Sequence, residues 1–149
     1  MRTRFALLSL LAAIVVIGAA VAPASAKHAR STTFTVDLTG PGGTGTALVK
    51  LNPGGKVCYT IDVTLTTPGD VPQEPGPGVG TAHIHGPTGA IAVNLHTQFQ
   101  SLGGGMFVAS GCVRADKTVV RQILADPSAY YVNVHTTTYP AGAVSGPLA

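Results

Sequence analysis

The chain is short of charge: lysine and arginine number nine and aspartate and glutamate six in 149 residues. Two of the basic residues, Arg2 and Arg4, precede an apolar run over residues 5–21, which leads into the small-residue string Ala24-Ser25-Ala26. That is the pattern of a secretory signal peptide over residues 1–26, with the mature domain expected over residues 27–149. The apolar run is almost long enough to cross a bilayer, but no basic stop-transfer cluster follows it, so cleavage rather than anchoring is expected. Without Arg2 and Arg4, seven basic residues face six acidic ones, a net charge near +1. Such a balance leaves no electrostatic footprint for nucleic acid or an anionic membrane. A second apolar run of membrane length is missing, so no membrane span is expected after cleavage.

Other absences narrow the chemistry. The acidic residues Asp37, Asp62, Asp70, Glu74, Asp116 and Asp126 are scattered and offer no carboxylate pair for glycoside hydrolysis. There is no G-x-S-x-G elbow, no H-E-x-x-H and no phosphate-binding glycine loop. These gaps turn the reading away from an enzyme. Cysteine is limited to Cys58 and Cys112. In an exported protein an even pair is most simply a disulfide, here closing a loop of just over fifty residues and worth up to ~4 kcal/mol. The alternative is two buried free thiols. The spacing does not suit a redox C-x-x-C pair.

What the chain has in quantity is threonine, glycine, proline and short alternating runs. Residues 56–65 (KVCYTIDVTL) put Val57, Tyr59, Ile61, Val63 and Leu65 on one face and Cys58, Thr60, Asp62 and Thr64 on the other. Any disulfide at Cys58 therefore lies at the periphery. Similar runs occupy residues 31–38, 44–51, 81–86, 90–97, 106–114, 129–136 and 143–148, with glycine- and proline-rich turns between them. One helix is expected over residues 117–125, with Asp116 as N-cap and Pro127 as terminator. Residues 66–80 hold four prolines and four glycines and read as a long surface loop, a hint of functional use. Seven to eight strands with one short helix argue for a single all-β domain, an antiparallel β-sandwich or barrel.

Four histidines fall on the strands. His83 and His85 stand two apart in Thr81-Ala82-His83-Ile84-His85-Gly86 and so share a face, as do Asn133 and His135 in Tyr130-Tyr131-Val132-Asn133-Val134-His135-Thr136. His96 belongs to Val93-Asn94-Leu95-His96-Thr97, an echo of residues 132–136. An H-x-H pair on one strand with imidazoles from neighbouring strands suits copper or zinc, so His83, His85, His135 and His96 are the candidate ligands. Two other readings stay open: a hydrogen-bonded structural network through backbone carbonyls and threonine hydroxyls, and a recognition surface.

Several of these strings carry a resemblance. Val57-Cys58-Tyr59, Ala82-His83-Ile84-His85-Gly86, Ser110-Gly111-Cys112-Val113 and Tyr130–Thr136 followed by Tyr139-Pro140-Ala141-Gly142-Ala143-Val144 resemble the CHRD domain, named from chordin, over nearly the whole mature chain. The resemblance implies a secreted, extracytoplasmic β-sandwich, found alone in bacterial exported proteins, acting as a binding or interaction module toward an unknown extracellular or cell-surface partner. The chain departs from the family where an Arg-Gly-Gln-Leu ending is replaced by Ser145-Gly146-Pro147-Leu148, and His96 lies outside the family motif. A more distant likeness is architectural. An H-x-H strand, a later V-x-V-H strand and one disulfide are also found in copper/zinc superoxide dismutases, whose immunoglobulin-like sandwich would make His83, His85 and His135 copper ligands, with His96 a fourth. The zinc loop of those enzymes has no counterpart here, so the likeness implies no catalysis.

Overall fold

A computed structural model describes residues 30–149, and the signal-peptide expectation for residues 1–26 lies outside them. The described chain is all-β and antiparallel. Its strands are β1 (Thr32–Gly40), β2 (Gly43–Leu51), β3 (Lys56–Leu65), β4 (Ala82–His85), β5 (Ile91–Asn94), β6 (Gln100–Gly103), β7 (Met106–Arg114), β8 (Tyr131–Val134) and β9 (Val144–Pro147), with one helix, α1 (Lys117–Ala125), between β7 and β8.

All nine strands join one hydrogen-bonded sheet in the order β5-β4-β8-β9-β1-β2-β3-β7-β6, curled into a half-barrel. Strands β1, β2, β3 and β7 form a long meander in continuous register. Strands β5, β4, β8 and β9 form a shorter panel. The ladder between the two panels has one registered residue pair, Thr39 with Ser145, beside a bond from the Gly42 N–H to the Ala143 carbonyl. The chain passes very close there: a Cβ on Gly146 would lie 2.0 Å from the Asp37 carbonyl oxygen, so only glycine fits.

Period-2 alternation sets which side faces the core. Val36, Leu38, Ala47, Val49, Leu51, Val57, Ile61 and Val63 point inward from the long panel, and Ala82, Ile84, Val132, Val134 and Val144 from the short one. Helix α1 adds Val120 and Ile123 to the same core. The Asp116 carboxylate accepts from the Thr118 N–H at 2.6 Å, and the helix stops before Pro127, as its sequence signals require. Cys58 and Cys112 sit opposite each other in β3 and β7 on the outward face and are joined in a disulfide.

Three boundaries depart from the sequence pattern. Strand β6 is additional to the eight expected, because all its residues are exposed and no buried–exposed alternation announces it. The run at 90–97 ends as a strand at Asn94, since His96 adopts a left-handed φ of 49°. The run at 129–136 becomes strand only at Tyr131, because Pro127–Ala129 forms a 3-10 turn. Among the described residues, no helix is long and apolar enough to cross a membrane.

Candidate metal centre

The short panel presents one face to the core and the other to residues 66–80. With Ala82, Ile84, Val132 and Val134 turned inward, alternation turns His83, His85, Asn133 and His135 outward. The β4–β8 register sets His83 opposite Asn133 and His85 opposite Tyr131, and β5 brings Asn94 opposite His83 from the other side. His135 follows directly after β8, held by its N–H donating to the Thr81 carbonyl. Three imidazoles from two adjacent strands are thereby set against one another.

Their Nε2 atoms converge. His83 Nε2 lies 2.8 Å from His85 Nε2 and 3.1 Å from His135 Nε2. Among the described residues, His83, His85 and His135 form a group whose ligand atoms all fall within 4.8 Å of one another. Three nitrogens at about 2.0–2.1 Å from one ion stand roughly 3.3–3.5 Å apart, somewhat wider than the 2.8 and 3.1 Å contacts here. The Nδ1 atoms are committed elsewhere. His85 Nδ1–H donates to the Gly89 carbonyl at 2.7 Å, and His135 Nδ1–H to the Pro140 carbonyl at 2.9 Å. Such outer bonds fix the tautomer and aim the Nε2 lone pair inward, as in metal-ligating histidines. The His85 ring also stacks on Tyr131, with centroids 4.8 Å apart.

The proton count does not favour a plain hydrogen-bond network. With Nδ1–H fixed on His85 and His135, their Nε2 atoms are acceptors; the single Nε2–H of His83 serves only one of the two short contacts, and the Asn133 amide reaches His135 Nε2 only at 3.5 Å. His83 Nδ1 is then buried with no partner. An extra proton would supply the missing donor, but burial opposes it. Burial, reinforced by the neighbouring His135 and His85, lowers His83 to about 4, and burial likewise lowers His135 against the raising effect of the Pro140 carbonyl.

Residues 66–80 seal this face. Gln73 N–H donates to the His135 carbonyl, Thr137 N–H to the Val71 carbonyl, and Pro72 bridges to Thr136. Asn94 Nδ2 donates to the carbonyls of Gly78 and Val79. The Asp70 carboxylate accepts from Thr137 Oγ1 and from the backbone N–H groups of Thr138 and Val71. His83 is accordingly 1% exposed and His135 5%, although strand alternation points both away from the core; His85 is half-buried.

His96 is not brought in. Its counterpart in the echoed string, His135, continues the line of β8, whereas the left-handed turn at His96 leaves that residue exposed with its N–H donating to Asn94 Oδ1. Sequence reasoning missed Asp70 and the carbonyls of Gly89 and Pro140. The only signal for Asp70 was its place in an unusually long loop.

A family model for the CHRD domain matches residues 23–148. No curated protein and no solved structure matches the chain. The chain belongs to the CHRD domain family.

Proposed function

We propose that this chain works outside the cytoplasm as a CHRD-type binding module rather than an enzyme, and that His83, His85 and His135 hold a copper or zinc ion on its outward strand face. The observation that carries the reading is the convergence of three Nε2 atoms with too few protons to hydrogen-bond one another. One ion satisfies all three lone pairs at once. Copper would add the capacity for electron transfer; zinc would not.

Export by a signal peptide over residues 1–26, leaving residues 27–149 as one domain, fits the Cys58–Cys112 disulfide, a bond rare in reducing compartments. The two panels with facing apolar sides agree with a sandwich of the superoxide dismutase kind, and a recognition role toward an extracellular or cell-surface protein agrees with the family. His96 stands outside the proposed ligand set.

The test is metal analysis of protein recovered from its native exported location, followed by titration with Cu(II) and Zn(II). We expect one ion per chain, lost in a His83→Ala/His135→Ala double variant. Absence of binding above background, or equal binding by a double variant that retains its β-sheet circular dichroism, overturns the proposal.

A further inference from the structure

We infer that the centre prefers monovalent copper to either divalent ion, an inference that rests on the metal-centre reading above. The donor set consists of three imidazoles, neutral when they bind, and no aspartate, glutamate or cysteine belongs to the group among the described residues. The outer partners are also neutral: the carbonyls of Gly89 and Pro140 stand where many zinc sites place a carboxylate. Asp70, in the covering loop, gives its Oδ1 to Thr137, Thr138 and Val71 and is not a member of the group of converging ligand atoms. Both cysteines are consumed in a disulfide on the other panel.

An ion held here keeps its full charge in a largely buried place. His83 and His135 are 1% and 5% exposed, with His85 alone half-open to solvent. The cost of moving an ion out of water grows with the square of its charge, so a dication loses about four times as much solvation as a monocation of similar size. Neutral ligands return none of that difference through charge neutralisation.

Coordination number points the same way. Zinc completes a three-histidine site with a water as fourth ligand, and divalent copper takes a tetragonal set. The described residues bring together three, and residues 71–79 are bonded over the outer side, so a fourth ligand would have to enter from solvent past the half-exposed His85. Three nitrogens complete the shell of a trigonal monovalent copper ion without a further ligand.

Protein recovered from its exported location and stripped with chelator would be titrated anaerobically with Cu(I) against bicinchoninate, and separately with Zn(II) and Cu(II) against chromophoric chelators. We expect one Cu(I) per chain, with a dissociation constant at least a thousandfold below that for Zn(II), and a copper K-edge spectrum of a three-coordinate Cu(I)–nitrogen site. His85→Ala, at the half-exposed position, should weaken Cu(I) binding at least a hundredfold while leaving the fold intact, and His83→Ala should abolish it. If Zn(II) or Cu(II) binds the same histidines as tightly as Cu(I), this inference fails and the metal centre stands. If no ion binds, both fail. Tight Cu(I) binding that survives both substitutions also overturns the inference, since the ion then sits elsewhere.

Discussion

Asp70 accepts a hydrogen bond from Thr137 Oγ1 at 2.6 Å, and this contact ties the covering loop to the segment that carries the outer partner of His135. The same carboxylate takes the N–H of Thr138 at 2.9 Å and of Val71 at 3.1 Å. Thr137 and Thr138 lead directly to Pro140, whose carbonyl orients the His135 ring. Asp70 is thus a buckle at the rim of the site, 5% exposed.

Removing the buckle should cost stability. Asp70→Ala loses a charge-assisted set of hydrogen bonds and is expected to lower the unfolding free energy by about 2 kcal/mol. Urea denaturation monitored by circular dichroism reads this directly, and a change within about 0.5 kcal/mol, the scatter of neutral surface substitutions, would show that the buckle holds nothing.

The same group gives a pH dependence of defined sign. Burial alone would raise the Asp70 carboxyl, but hydrogen bonds from Thr137, Thr136 and Thr138 outweigh it and hold the group below its ordinary 3.8. A lowered folded-state value means the stabilisation is complete above the unfolded value and disappears as pH falls through the folded one. Wild type should therefore lose stability faster than Asp70→Asn below pH ~4, the two curves running parallel above it. Parallel curves throughout acid titration would remove Asp70 as the source.

Metal removal separates a metal site from a structural network. In chelator, His83→Leu deletes one N–H···N contact and also the unpartnered buried Nδ1, so it should cost no more than about 1 kcal/mol. Added ion at a hundredfold excess over its dissociation constant should stabilise wild type by about 2.7 kcal/mol and leave His83→Leu unchanged. A network that needs no ion gives the reverse: a large loss in chelator and no response to metal.

Much of this molecule was legible in the residues because both the core and the ligand pair follow from the period of a strand. Val57 to Leu65 and His83 with His85 each announce their face by alternation, and α1 by Asp116 and Pro127. What escaped depends on tertiary context. His96 repeats the surroundings of His135 almost letter for letter, yet a left-handed φ of 49° one residue beyond Leu95 turns it outward. Strand β6 pairs with β7 through exposed residues such as Gln100 and Ser101, where no apolar–polar rhythm exists to be read. The covering role of residues 66–80 uses backbone groups of Val71, Gln73, Gly78 and Val79, and the side chains that help to hold it, Asp70 and Asn94, meet their partners only in the folded chain.

Gly142 should resist substitution because of what lies beside it. Its φ is 135°, and a Cβ there would fall 2.5 Å from Asn133 Oδ1, the side chain packed against His135 Nε2. Gly142→Ala is expected to cost roughly 1–3 kcal/mol and to weaken metal binding as Asn133 is displaced. Gly103→Ala makes the control: its φ is 85° but nothing lies within 4 Å of the new Cβ, so only the conformational cost of about 1 kcal/mol applies and binding is unaffected. Thermal melts with parallel metal titrations test the pair, and equal effects on binding would detach Asn133 from the centre.

The disulfide and the histidines should be separable. Cys58 and Cys112 close a chain segment of sequence separation 54 that contains β4, β5 and β6, hence His83 and His85, yet the bond itself lies on the β3–β7 ladder of the other panel. On the chain-entropy account its loss destabilises by about 4 kcal/mol through the unfolded state, with little change in the folded one. Within the short panel, β4 is held by its own ladders to β8 and β5, and neither depends on the bridge. A Cys58→Ser/Cys112→Ser variant should therefore unfold at lower urea but bind metal with unchanged affinity wherever it remains folded. Denaturation curves in chelator and titrations well below the transition midpoint measure the two effects independently. A tenfold or greater loss of affinity in the fully folded variant would mean that the bridge shapes the histidine face through the folded sheet.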